Sequence, residues 1–167
     1  QHLQLARLAG ARAIVSEFVE ERLAVAKEPG AAELVHAARE NPVQRVQELT
    51  AGRGADTVIG AVGAPQALQQ ALEMAGIGAT VNYFAGTYPP TTIPLDPNLV
   101  HYKQLRLTGS HDYAPTHFQA ALQLIAQGQV RVGPLISHRL PLERVQEGFD
   151  IVRDQRGLKV VVHMAEG

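Results

Sequence analysis

Apolar residues in this chain fall into short clusters of two alternating kinds. Compact apolar runs that end in small or polar residues mark buried parallel strands, and apolar residues three or four apart mark helices with one wet face. Strands are predicted at Ala13–Val15, Glu33–Val35, Thr57–Ile59, Thr80–Phe84, Leu105–Thr108, Leu135–His138 and Lys159–Val162. Helices are predicted over His2–Ala9, Val19–Glu28, Pro65–Ala75, Thr116–Ala126 and Leu142–Arg153, with another opening at Pro42 behind Asn41 as its cap. In the helix over Thr116–Ala126, Phe118, Ala121, Leu122 and Ile125 are expected to face inward. Pro29–Gly30 should break the second helix, and Gly76 and Gly78 should end the one begun at Pro65. Residues 87–104 carry Pro89, Pro90, Pro94 and Pro97 and read as an extended excursion.

Strands alternating with amphipathic helices predict the α/β class. Parallel strands need crossovers, and the crossover helices cover the sheet. Ligands of such sheets bind beyond the carboxyl ends of the strands, so the informative residues follow each apolar run. Here they are Ser16–Glu17, Ala61–Val62–Gly63, Phe84–Ala85–Gly86 and Gly109–Ser110. Glu17 is the most pointed. A carboxylate closing the second strand of a dinucleotide fold accepts hydrogen bonds from both hydroxyls of the adenosine ribose and repels a 2′-phosphate, which favours NAD over NADP. The glycines Gly63, Gly86 and Gly109 would let a flat cofactor approach the backbone.

Fifteen basic against sixteen acidic residues give a net charge of −1, which removes the positive field that nucleic acid or an anionic membrane requires. With 46% hydrophobic residues the chain can bury one ordinary core. No apolar run has the length of a membrane span, and the cytoplasm is the expected address. Cysteine is absent, so thiolate zinc sites and disulfides within the chain are excluded. His111 and His117, six residues apart around Asp112, do not converge on one face, so no metal site is expected. Ser16, Ser110 and Ser137 lack a nucleophile elbow, and no catalytic residue is expected in the chain.

Four segments carry a resemblance: LAGARAIVSEFVEERLAVAKE at 8–28, GRGADTVIGAVG at 52–63, HYKQLRLTGS at 101–110, and SHRLPLERVQEGFDIV at 137–152 followed by GLKVVV at 157–162. Together they resemble the zinc-dependent medium-chain alcohol dehydrogenases, in particular the sorbitol and threonine dehydrogenase branches. The resemblance implies a Rossmann-like doubly wound parallel sheet. It matches Glu17 to the ribose-binding acid, Arg22 to a basic residue beside the adenosine, and Lys159 to one near the pyrophosphate. Ala61–Gly63, Phe84–Gly86 and Gly109–Ser110 match segments lining the cofactor, the latter two nearer the nicotinamide. Gly60 stands where many relatives carry an acid.

The family's GxGxxG turn and first strand belong immediately before Gln1, so the sheet is expected to lack its first strand, leaving two neighbours about 10 Å apart. That slot must be filled or the sheet must rearrange. Residues 1–133 then read as an incomplete dinucleotide-binding domain and 134–167 as a segment returning to the catalytic domain. The catalytic zinc ligands belong to that preceding domain. The implied function is the NAD-binding part of an alcohol or polyol dehydrogenase, inactive alone and expected to form a homo-oligomer through the region around 79–104. The alternatives are a non-catalytic truncated assembly module and part of a zinc-free quinone oxidoreductase.

Overall fold

The computed structural model describes residues 1–27, 30–154 and 156–164. They divide into two compact units, each described by itself: Ala13–Tyr113, and Gln1–Arg12 with the chain from Ala114 onward.

In the first unit, β1 (Ile14–Glu17) leads through α2 (Glu20–Lys27) to β2 (Glu33–His36), which lies parallel to β1 with Glu17 opposite His36; the helix before them, α1 (His2–Leu8), belongs to the other unit. Leu23 of α2 and Val35 of β2 are buried, as their spacing predicts. Glu28 and Pro29, where the sequence places the end of that helix, lie outside the described residues. Next comes α3 (Pro42–Leu49). Asn41 caps it, its side-chain oxygen accepting from the amides of Val43 at 2.9 Å and Gln44 at 3.3 Å.

β3 (Ala55–Gly60), α4 (Pro65–Met74), β4 (Ala75–Tyr83), α5 (Pro97–Lys103) and β5 (Arg106–Gly109) follow, with the three strands forming one parallel ladder in the order β3-β4-β5. Val58, Val81 and Leu107 stand in one register row and turn to α4 and α5, where Leu72, Ala75 and Leu105 complete the core. The next rows, Thr57–Thr80–Arg106 and Ile59–Asn82–Thr108, point to the other face because side chains alternate along a strand. That face is polar and stitched by hydrogen bonds: Arg106 Nε donates to Thr80 Oγ1 at 3.1 Å.

Two elements differ from expectation. β4 begins directly at Ala75, with Gly76 and Gly78 inside the strand and not in a helix-ending loop. A Cβ on Gly76 would fall on the carbonyl oxygen of Arg53, so this glycine serves a close backbone approach beside the register shift between Ala55 and Thr57. Within the proline-rich 87–104 segment, Asp96 caps a helix, accepting from Asn98 N–H at 2.8 Å, and Pro97 occupies its first turn. Proline opens a helix there because the first-turn amides need no partner within the helix.

The architecture is the Rossmann-like α/β fold in which all strand pairs are parallel. Among the described residues β1 pairs only with β2, and β3 only with β4, so the two ladders remain separate. The slot is not closed by pairing β1 to β3.

In the second unit, α1 is tied to the chain after α6 (Pro115–Ala126) by a reciprocal pair: Gln4 Nε2 donates to the Arg131 carbonyl at 2.9 Å, and Arg131 N–H donates to Gln4 Oε1 at 2.7 Å. Phe118, Leu122 and Ile125 do lie on one stripe of α6, yet all three are exposed, against the inward-facing expectation. Amphipathic spacing sets which residues share a face, and packing alone decides whether that face is covered. β6 (Ile136–Pro141) pairs in parallel with β7 (Lys159–His163) beneath α7 (Val145–Arg153). Gly148 lets α7 sit close, since a Cβ there would meet Val160 at 3.3 Å and Leu140 at 3.5 Å.

Candidate functional site: the carboxyl ends of the parallel strands

Glu17 is the last residue of β1, and its carboxylate folds onto the start of the following helix. Oε1 accepts from the amides of Phe18 at 2.7 Å and Val19 at 3.1 Å. Oε2 lies 3.9 Å from the Arg22 guanidinium. One oxygen therefore satisfies helix-entry amides, while the other lies on the side of Arg22.

Opposite Glu17 stands His36, which the sequence reading did not single out. Its Nδ1 accepts from Ala38 N–H at 3.3 Å, which places the ring proton on Nε2, and Nε2 is 3.2 Å from Glu20 Oε2. Arg39 reaches the same carboxylate oxygen at 3.0 Å. This network braces the ends of β1 and β2 against the first turn of α2. Its one sequence signal is a histidine closing a short strand, a position that composition alone does not mark.

The β3 and β4 ends meet directly. Gly60 C=O accepts from both Phe84 N–H at 3.1 Å and Ala85 N–H at 3.0 Å. A Cβ on Gly63 would fall on the carbonyl oxygen of Gly86, so Ala61–Gly63 and Phe84–Gly86 run backbone to backbone. Val62 and Phe84 leave about half of their surface exposed at this rim. Gly60 itself has little room, since a Cβ there would stand 3.0 Å from Leu68 Cδ2. Below the rim, burial pushes the Tyr83 phenol up from its ordinary value.

Gly109 ends β5 opposite Tyr83, and Ser110 N–H donates to the Tyr83 carbonyl at 3.3 Å. Asn82 Nδ2 donates to Ser110 Oγ at 2.8 Å and to Thr108 Oγ1 at 3.2 Å. The structure thus joins Phe84–Gly86 to Ala61–Gly63 on one side and, through β4, to Gly109–Ser110 on the other. Glu17 and Arg22 form a second local group on the separate β1–β2 ladder. Lys159, first residue of β7, belongs to the other unit, where its carbonyl accepts from Ser137 Oγ at 3.1 Å.

Among the described residues no group of three or more histidines or carboxylates could hold a metal. His117 Nδ1 instead accepts from Ala114 N–H at 3.3 Å at the entry to α6. No helix among them is long and apolar enough to cross a membrane.

Parallel ladders whose carboxyl ends are lined by glycine and small residues place this chain in the class of Rossmann-like α/β proteins. A family model described as zinc-binding dehydrogenase matches residues 2–127. The chain belongs to the zinc-binding dehydrogenases, a family of medium-chain oxidoreductases. It is 34% identical over 161 residues to an L-threonine 3-dehydrogenase of Bacillus subtilis, covering 95% of this chain and 46% of the relative. It is 30% identical over 165 residues to a D-arabitol-phosphate dehydrogenase of Enterococcus avium, covering 96% and 46%. An alcohol dehydrogenase from Thermus sp. ATN1 superposes with a TM-score of 0.87 at 31% identity, over 97% of this chain and 46% of that one. The chain spans about half the length of the curated relatives it matches.

Proposed function

We propose that this chain is the cofactor-binding part of an NAD-dependent, zinc-dependent alcohol or polyol dehydrogenase. The observation that carries the reading is the close backbone apposition of Gly63 and Gly86 at the carboxyl ends of neighbouring parallel strands. The chemistry present fits a nicotinamide dinucleotide. Glu17 and Arg22 would hold the adenosine ribose; Ala61–Gly63 and Phe84–Gly86 would floor the dinucleotide; Gly109–Ser110 would meet the nicotinamide end, and Lys159 the pyrophosphate. When bound, the cofactor supplies the hydride acceptor for alcohol oxidation.

The described residues do not fit a catalytic zinc, because they form no metal-binding cluster. In this reading the metal and the alcohol-binding residues come from another domain, and residues 134–167 form the segment that joins it to the cofactor domain at 1–133. The open edges of β1 and β3 would take up the strand that carries the phosphate-binding turn. The whole enzyme is read as a cytoplasmic homo-oligomer acting on a small alcohol or polyol.

Calorimetry with NAD and NADP tests this, on the chain alone and mixed with a separately produced zinc-binding domain that carries the glycine turn. The expected result is NAD-selective binding that strengthens, with alcohol oxidation, only in the mixture. A second reading, a non-catalytic assembly module, is favoured by exposed Tyr88, Leu95 and Tyr102 in the 79–104 region. It predicts a stable oligomer with no NAD binding even in the mixture.

A further inference from the structure

The polar face of the β3–β4–β5 ladder carries a side chain whose bonding the core does not require. Asn82 lies on β4 in register with Ile59 and Thr108, one position before the strand ends. Both hydrogens of its amide are used, on Ser110 Oγ at 2.8 Å and Thr108 Oγ1 at 3.2 Å. Thr108 Oγ1 lies 3.5 Å from the Val81 carbonyl, to which its own proton is directed. Ser110 Oγ accepts from Asn82 and therefore keeps its proton for a different acceptor. Ser110 is exposed, and its main chain is already tied to Tyr83.

The other end of the same amide is revealing. Asn82 Oδ1 is buried and accepts no hydrogen bond. An amide turned the other way would offer an oxygen to the two hydroxyls and draw the Ser110 proton inward. The arrangement found places the unsatisfied atom inside the protein and the free hydroxyl proton at the surface.

We infer that Asn82 is a positioning residue for the cofactor. It acts through Ser110, fixing that hydroxyl as a donor toward a carbonyl oxygen on the nicotinamide side of the dinucleotide. Asn82 does not itself touch the ligand. This inference rests on the reading of the strand ends as a cofactor site.

The test compares NAD with ADP-ribose, which lacks the nicotinamide ring, by saturation-transfer NMR and calorimetry on the full chain mixed with the zinc-binding domain that carries the glycine turn. Asn82→Ala is expected to weaken NAD about five- to tenfold, the value of one hydrogen bond, and to leave ADP-ribose within about twofold. Ser110→Ala, at an exposed position that does not threaten folding, should show the same selective loss, and the double variant no further loss. Parallel weakening of both ligands would mean that Asn82 merely maintains the ladder, and unchanged NAD binding would mean that the Ser110 proton is not used; either overturns the inference. Failure of the mixture made with the unsubstituted chain to bind both NAD and ADP-ribose would remove the cofactor reading itself, and the inference with it.

Discussion

Gly63 lies so close to Gly86 that a Cβ on the first would stand only 2.1 Å from the carbonyl oxygen of the second. The converse does not hold: a Cβ on Gly86 would meet nothing within 4 Å. The pair is therefore asymmetric, and the two glycines answer differently to the same substitution. Gly63→Ala should cost about 1–3 kcal/mol, because backbone must shift to admit the methyl group, and should weaken NAD binding. Gly86→Ala should stay within about 0.5 kcal/mol of the parent. Urea unfolding of the two variants side by side measures the contrast.

Glu17 divides its carboxylate between the amides of Phe18 and Val19 and the side of Arg22. A glutamine retains an oxygen for the amides and loses the negative charge. Glu17→Gln should therefore leave the unfolding midpoint nearly unchanged while reducing the preference for NAD over NADP about tenfold. Calorimetric titration with both cofactors gives the ratio. An unchanged preference would mean that the carboxylate serves the helix entry alone.

Asn41 offers a control remote from the strand ends. Its oxygen satisfies two amides at the start of α3, so Asn41→Ala should cost about 1 kcal/mol of stability and leave the ratio of NAD to ADP-ribose affinity unchanged. Denaturant unfolding reads the first and calorimetry the second.

Arg144 makes a two-point contact with Glu147, with Nε 2.7 Å from Oε2 and Nη2 2.6 Å from Oε1. That hydrogen-bonded pairing holds the Glu147 carboxyl below its ordinary 4.5. The folded value is depressed, so the contribution to stability is complete above the ordinary carboxylate value and is lost as pH falls through the lowered one. Arg144→Ala should move the Glu147 titration upward in carboxyl-carbon NMR. It should also flatten the acid limb of the stability curve in that window. Salt should shrink the difference, because both groups are exposed.

The two asparagines show how unevenly sequence exposes function. Asn41 is legible because it precedes a proline and a helical apolar pattern, so a local rule places its side chain on nearby amides. Asn82 sits inside a β-rich run, where nothing local tells which hydroxyls it will meet. Its partners, Thr108 and Ser110, are separated from it by an entire crossover. His36 is hidden for a related reason: its partner Glu20 opens α2, at the start of the crossover that leads to β2, and a histidine at a strand end carries no pattern.

The sequence by itself determined the alternation of strand and helix, the parallel class, the family and the placement of Glu17, Gly63, Gly86 and Ser110 at strand ends. The alternation, the class and the strand-end positions follow from periodicity or from residues adjacent in the chain, and the family from the resemblance of four segments. Tertiary structure alone decided that β4 starts at Ala75, that Phe118, Leu122 and Ile125 are exposed on α6, and that Asn82 bonds to Ser110. Those outcomes depend on which backbones and side chains meet across long separations, as Gly76 meets Arg53. A periodic pattern fixes the face on which a residue lies; only the packed neighbours fix what that face touches.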